Sequence, residues 1–143
     1  MSVELNKAVV ERLYREVFNQ GKIDVLPELA VEEYLEHDPL PGQGNGLNGL
    51  RDRVEALLRG LQPQFTIEDI ISENDKVVVR WTNRGTNVGE FLGIPPTGKS
   101  FAIAGIDIYR LRDRKMVEHW HVVDLFSQLQ QLGLLPMPPG VDK

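Results

Sequence analysis

Phe101-Ala102-Ile103-Ala104-Gly105-Ile106-Asp107-Ile108-Tyr109-Arg110-Leu111 reads as the centre of a long β-strand, covering about 99 to 111. Its odd positions, Phe101, Ile103, Gly105, Asp107, Tyr109 and Leu111, form an apolar and aromatic row with a carboxylate in the middle. A buried, unpaired Asp costs several kcal/mol or is neutralised by a raised pKa. A partner or a functional need is therefore expected beside Asp107. Outward from this strand, further period-2 segments at about 65 to 72, 76 to 86 and 115 to 123 predict strands, joined mostly by short polar turns such as Glu73-Asn74-Asp75. Short turns make the sheet largely antiparallel. Before Pro63 the period is 3.6. Val9, Val10, Leu13, Tyr14, Val17 and Phe18 mark an amphipathic helix closed by Gly21, and a short helix from Asp24, as its cap, to Ala30 follows. Leu47, Leu50, Val54, Leu57 and Leu58 mark a third helix ended by Gly60 and Pro63. Helices first and a sheet second is an α+β pattern.

The segment 37–46, with Pro39, Pro41, Gly42, Gly44 and Gly46, predicts a mobile loop of the kind that borders pockets. Residues 89–98 predict a lobe over the sheet edge. Asp124 is expected to cap a last helix, Leu125 to Leu132, and a Pro-rich tail from about residue 134 is expected to be poorly ordered. At 143 residues, one domain spanning 1–143 is the expectation. The chain has no cysteine, which removes thiolate catalysis, disulfides and zinc-cysteine clusters. A net charge of -5 with scattered basic residues leaves no footprint for nucleic acid or anionic lipid. With no signal-peptide pattern and no long apolar run, no membrane and a cytoplasmic location are expected.

Which residues of the fourth strand meet Asp107 depends on the preceding turn. A two-residue loop at Asp113-Arg114 pairs 107 with 120 and sends His119 and His121 to the opposite face. A three-residue loop, Arg112-Asp113-Arg114 with Arg114 left-handed, pairs 107 with 119 and leaves 121 diagonal on the same face. The second is favoured because it lets Asp107 meet imidazoles, at a backbone cost of only roughly 1 to 2 kcal/mol. Each polar residue also has an ordinary structural reading. Asp124 reads as a helix cap, His119 as a hydrogen-bonded core histidine, and Tyr14, Tyr34 and Phe18 as core. Glu118 and Arg110 read as a surface pair, and Arg80 as a solvated rung. His37, at the mouth of the Gly/Pro loop, is a pocket candidate.

Gly85-Thr86-Asn87, the run from Gly89 through Phe91-Leu92-Gly93-Ile94-Pro95-Pro96-Thr97-Gly98 to Lys99, Ile106-Asp107-Ile108-Tyr109-Arg110, Glu118-His119-Trp120, Asp124 and Gln130-Gln131-Leu132-Gly133 together resemble the SnoaL-like polyketide cyclase, or ester cyclase, family. Tyr34-Leu35-Glu36-His37-Asp38-Pro39 is similar to that family's loop before its third helix, so the resemblance covers nearly the whole chain. It implies a cone-shaped α+β barrel of the nuclear transport factor superfamily, a curved sheet wrapped on helices around a deep apolar pocket. It further implies a homodimer formed through the sheet, no cofactor, and a small hydrophobic molecule as partner. In the family's cyclases an Asp on the last strand acts as acid/base, with a His on the preceding strand nearby. Aligned on Arg110 and Glu118-His119, this chain has Asp107 where that His stands and His121 where that Asp stands.

The resemblance thus points to an intramolecular aldol closure, with His121 moving the proton, Asp107 orienting its ring, and His37 and Tyr109 donating to the substrate oxygen. His119, Trp120, Tyr34, Phe18 and Asn87 complete the expected substrate-binding set, with Asn87 replacing a His commonly found after Gly-Thr. Three rivals are retained. Arg80 with Asp107 and Asp124 would suit epoxide hydrolysis, His119-x-His121 with Asp107 would form a facial metal set, and a non-catalytic carrier would need only a pocket.

Overall fold

In a computed structural model describing residues 2–136, helix α1 (Val3–Arg12) opens on Ser2, whose hydroxyl accepts from the Leu5 N–H at 3.3 Å. It runs on into a wider π-type turn, Leu13–Phe18, with Leu13, Tyr14, Val17 and Phe18 all buried. Such turns recur at functional sites because they re-aim side chains. Here the turn aims the Tyr14 phenol at the sheet.

Asp24 does not cap the second helix. A 3₁₀ turn (Ile23–Val25) leads into α2 (Leu26–Leu29) with no side-chain cap. The chain then does what the sequence did not announce: Ala30–Glu36 forms a strand, β1. Helix α3 (Gly46–Leu61) follows and ends on Gln62 in the left-handed region. Gly60 lies inside α3 instead of ending it, because the lobe packs there; a Cβ at Gly60 would sit 2.9 Å from the Glu90 carbonyl oxygen.

The remaining strands are β2 (Gln64–Glu73), β3 (Lys76–Thr86), β4 (Ser100–Arg112) and β5 (Lys115–Val123), and α4 (Leu125–Gln131) closes the described fold. The five-stranded order is β1-β5-β4-β3-β2. Three pairings are antiparallel, and β1 joins β5 in parallel. Helices and the inner sheet face enclose one apolar cluster built on Val10, Leu13, Tyr14, Val54, Val77, Val79 and Met116. The architecture is the α+β form expected, a sheet wrapped on N-terminal helices.

The favoured β4–β5 turn is corrected. The loop is Asp113-Arg114, both left-handed at φ 51° and 64°, as a two-residue I′ hairpin requires. A bulge then shifts the register. Leu111 pairs with Met116 but Arg110 pairs with Glu118, so consecutive Met116 and Val117 both face inward. Asp107 therefore lies opposite His121, and His119 lies opposite Tyr109.

Among the described residues no helix is long and apolar enough to cross a membrane. The expectation for the tail falls mostly on residues 137–143, outside those described.

Candidate active site

Asp107 is only 5% exposed and is surrounded by donors. Trp81 Nε1 donates to Oδ2 at 2.7 Å, the Tyr14 hydroxyl donates to the same oxygen in a short bond, and His119 Nε2 donates to Oδ1 at 2.9 Å. Trp81 can lie there because its register partner is Gly105. A Cβ at Gly105 would come within 2.2 Å of the indole Cζ2. The carboxylate noticed in the sequence is thus fully partnered.

His119 continues the chain of bonds. Its Nδ1 lies 2.7 Å from Glu36 Oε1, which the parallel β1–β5 register brings opposite it. Both ring nitrogens face carboxylates, so both donate and the ring is an imidazolium. Burial alone pushes His119 down, but its bonds to Asp107 and Glu36 and their charges outweigh that and raise it. Burial likewise pushes Asp107 and Glu36 up, yet the bond and charge of His119 lead the effects that hold both below the ordinary carboxylate range. The Tyr109 ring stacks on His119 at 4.6 Å, and its hydroxyl meets that of Tyr14 at 2.9 Å.

His121 belongs to a different set of contacts. Its Nδ1 is 3.7 Å from Asp107, too far for a hydrogen bond, so Asp107 does not orient this ring as the sequence had suggested. Arg53 Nη2 donates to Nδ1 at 2.9 Å, while Nε2 donates to the Asp38 main-chain oxygen at 2.9 Å. The Asp38 carboxylate accepts from the His121 main-chain N–H. With Arg53 donating to one nitrogen and a carbonyl accepting from the other, the ring is neutral. Burial first, then the charges of Arg53 and His119, hold its pKa below the ordinary value. The His119 imidazolium is bonded to both buried carboxylates, Asp107 and Glu36, and Arg53 stands 4.0 Å from Glu36, which leaves His121 as the uncharged ring of the cluster.

His121 and Arg53 stand in the wall of a cavity of about 320 Å³, floored by Trp81 and enclosed by Leu57, Phe65, Phe91, Leu92 and Ile103, with Gln128 and Asn83 at its polar edge. Apolar lining with a few convergent polar groups is the pattern of a small-molecule site.

Of the residues expected around the ligand, His121 lines this cavity. Tyr109, His119, Tyr34 and Phe18 stand behind it: Tyr34 stacks near His119 at 6.3 Å, and Phe18 packs on Tyr14 and Phe65. His37 and Trp120 are corrected. They stack on each other at 4.6 Å on the outer sheet face, where His37 also meets Glu118, because position 120 alternates with the inward 119 and 121. Asn87 is corrected too. Its side chain binds the Gly89 carbonyl and the Thr97 main-chain N–H and hydroxyl, pinning the lobe. The epoxide-hydrolysis set is not assembled, since Arg80 pairs with Asp69 on the outer face at 2.7 Å and Asp124 caps α4 through Ser127.

Asp107, His119 and His121 do bring donor atoms within 4.8 Å of one another. Their chemistry does not suit a cation: His119 offers protons to two carboxylates, Asp107 is bound to three donors, and a guanidinium already sits on His121.

Arg53, Glu36, Asp38 and Trp81 escaped the sequence reading as site residues. Arg53 left a signal, a charge three residues after Leu50 and four before Leu57, on the apolar stripe of its helix.

A family model described as SnoaL-like polyketide cyclase matches residues 8–132. The aklanonic acid methyl ester cyclase DauD of Streptomyces sp. (strain C5) is 30% identical over 133 residues, covering 87% of this chain and 81% of that protein. The enzyme of the same description from Streptomyces peucetius, DnrD, is 30% identical over 133 residues, covering 87% of this chain and 90% of that protein. The solved structure of TsrD from Streptomyces laurentii superposes with a TM-score of 0.85 at 29% identity, covering 94% of this chain and 99% of that one.

Proposed function

This chain belongs to the SnoaL-like polyketide cyclase family, and on that premise we propose that it closes a ring by cofactor-independent, aldol-type acid/base chemistry on a small, largely apolar carbonyl compound. The observation that carries the reading is a neutral His121 in the wall of an apolar cavity, oriented by Asp38 and backed by the charged chain Asp107–His119–Glu36.

A carbon between two carbonyls is acidic enough for one positioned base. His121 Nδ1 takes the proton, and the C–H electron pair moves onto a carbonyl oxygen to form the enolate. The enolate carbon attacks a second carbonyl of the same molecule, a C–C bond forms, and the new alkoxide takes the proton back from the imidazolium. Nothing is oxidised or reduced, and the proton count closes. Tyr14, Trp81 and Asp107 hold His119 charged beneath the reacting ring, which disfavours a second fixed positive charge at rest and keeps His121 poised as a base.

The test is turnover of aklanonic acid methyl ester, the compound named for the relatives, together with solvent-deuterium exchange into ethyl benzoylacetate, a β-keto ester needing only the first step. His121→Ala should abolish catalysed exchange while circular dichroism stays native. Full exchange in that variant would overturn the assignment.

We also propose a cytoplasmic homodimer that buries the outer face of β4 and β5, where Ile106 is 45% exposed and Val122 77%. Val122→Glu should shift sedimentation to the monomer; an unchanged sedimentation coefficient would count against this interface.

A further inference from the structure

Arg53 projects from α3 into the cavity wall with its side chain only 10% exposed. A guanidinium carries five N–H donors in a planar fork. One, on Nη2, goes to His121 Nδ1 at 2.9 Å, and Nη1 lies 3.4 Å from Nε2, whose own proton is directed at Asp38. The nearest carboxylate among the described residues, Glu36 Oε1, is 4.0 Å away. Glu36 is itself engaged, taking a bond from His119 at 2.7 Å and one from the Asp38 main-chain N–H at 3.1 Å. Asp38 also lines the cavity, and its carboxylate is turned to the His121 main-chain N–H at 2.9 Å.

A nearly buried cation therefore rests against a neutral ring. Buried charges ordinarily have a counter-charge in contact. A guanidinium whose nearest carboxylate stands 4.0 Å off and is hydrogen-bonded elsewhere, and which opens on Leu57, Phe65, Phe91 and Ile103, is complementary to an anion with an apolar body.

We propose that Arg53 is the anion-binding residue of this cavity, and that its ligand is a planar, mainly apolar compound in which two oxygens share one negative charge, as in a carboxylate or the enolate of a 1,3-dicarbonyl. The proposal rests on the ring-closing reading and names its substrate class. Arg53 keeps its proton throughout and makes no covalent bond. Its two parallel N–H groups donate hydrogen bonds to the oxygens over which the electron pair from the C–H bond is spread. Turning toward the dicarbonyl oxygens as the still-protonated substrate binds draws Nη2 off His121 Nδ1, so substrate binding uncovers the base's lone pair before the C–H proton leaves. Arg53 thus serves two partners in turn, the base and the oxyanion.

The test uses inert probes, so it stands apart from turnover. 2-Naphthoate and the neutral, near-isosteric 2-naphthamide are titrated into the full chain by calorimetry, while the His121 ring nitrogens are followed by ¹⁵N NMR. The wild type should prefer the carboxylate at least about tenfold, from charge-assisted bidentate pairing. Naphthoate should also shift the Nδ1 resonance as Arg53 leaves it. Arg53→Gln should still bind naphthamide measurably, which reports an intact cavity, and bind naphthoate no more tightly; Arg53→Lys should keep part of the preference. Equal affinities in the wild type, or a preference surviving in Arg53→Gln, would overturn the proposal. Failure of the ring-closing reading alone would show as an intact anion preference with no exchange into the β-keto ester.

Discussion

Replacing Asp107 with Asn removes one charge and one acceptor from a buried cluster while leaving its shape. Three donors converge on the native carboxylate: Tyr14 and Trp81 on Oδ2 and His119 on Oδ1. An amide oxygen can retain the first two. The amide nitrogen must then face His119 Nε2 and can only donate, so His119 has to give up its proton there. One buried ion pair is lost, and the bond to His119 survives only as a neutral one with its direction reversed. Breaking a buried pair by removing one partner costs about 3 to 5 kcal/mol, and two surviving bonds place this case at the lower end, near 3 kcal/mol. For a chain of this length that is a fall of roughly 10 °C in Tm. With a urea m-value of about 2 kcal/mol/M, the midpoint should drop by about 1.5 M at unchanged m. The assay is urea unfolding at pH 7, paired with ¹⁵N NMR of the His119 ring, which should become neutral. A loss under about 1 kcal/mol with His119 still doubly protonated would refute the reasoning.

Gly105→Ala should cost about 2 kcal/mol by overpacking and perturb tryptophan fluorescence, because its methyl would overlap the Trp81 indole; a native spectrum and stability would contradict the packing described. The two inward histidines should titrate on opposite sides of the ordinary value of about 6.5, His119 above it and His121 below. The stability from charged His119 is fully present below the unfolded pKa and is lost as pH rises through its raised folded value. That from neutral His121 is present above the unfolded pKa and is lost as pH falls through its lowered folded value. NMR titration of the two rings checks this order, and coincident midpoints would contradict it.

The long strand around Asp107 was legible because strict alternation over its length admits no helix, and the helix-then-sheet order gave the class. The carboxylate in its apolar row is where the structure gathers Tyr14, Trp81 and His119. What eluded the sequence were departures from simple periodicity. Val31-Glu32-Glu33-Tyr34-Leu35-Glu36 carries too many acids to read as a strand, because β1 is an edge strand with one face toward solvent; missing it hid Glu36. The bulge at Met116 and Val117 reverses side-chain parity within one hairpin, so a two-residue turn coexists with inward histidines. Local sequence does not encode such a shift. His37 and Trp120 were misplaced by the same uncertainty of face. Arg53 was overlooked because a charge within a helix usually signals a solvated face, and only the packing of α3 on β1 turns it inward.

Solvent-deuterium exchange into ethyl benzoylacetate, followed against pH beside the NMR titration of His121, addresses the proton transfer itself. The catalysed rate should rise with pH through a single midpoint, below the ordinary imidazole value and coincident with the His121 ring, and should vanish in His121→Ala. A rate limb that persists in that variant, or one that follows another group, would show that a different residue moves the proton.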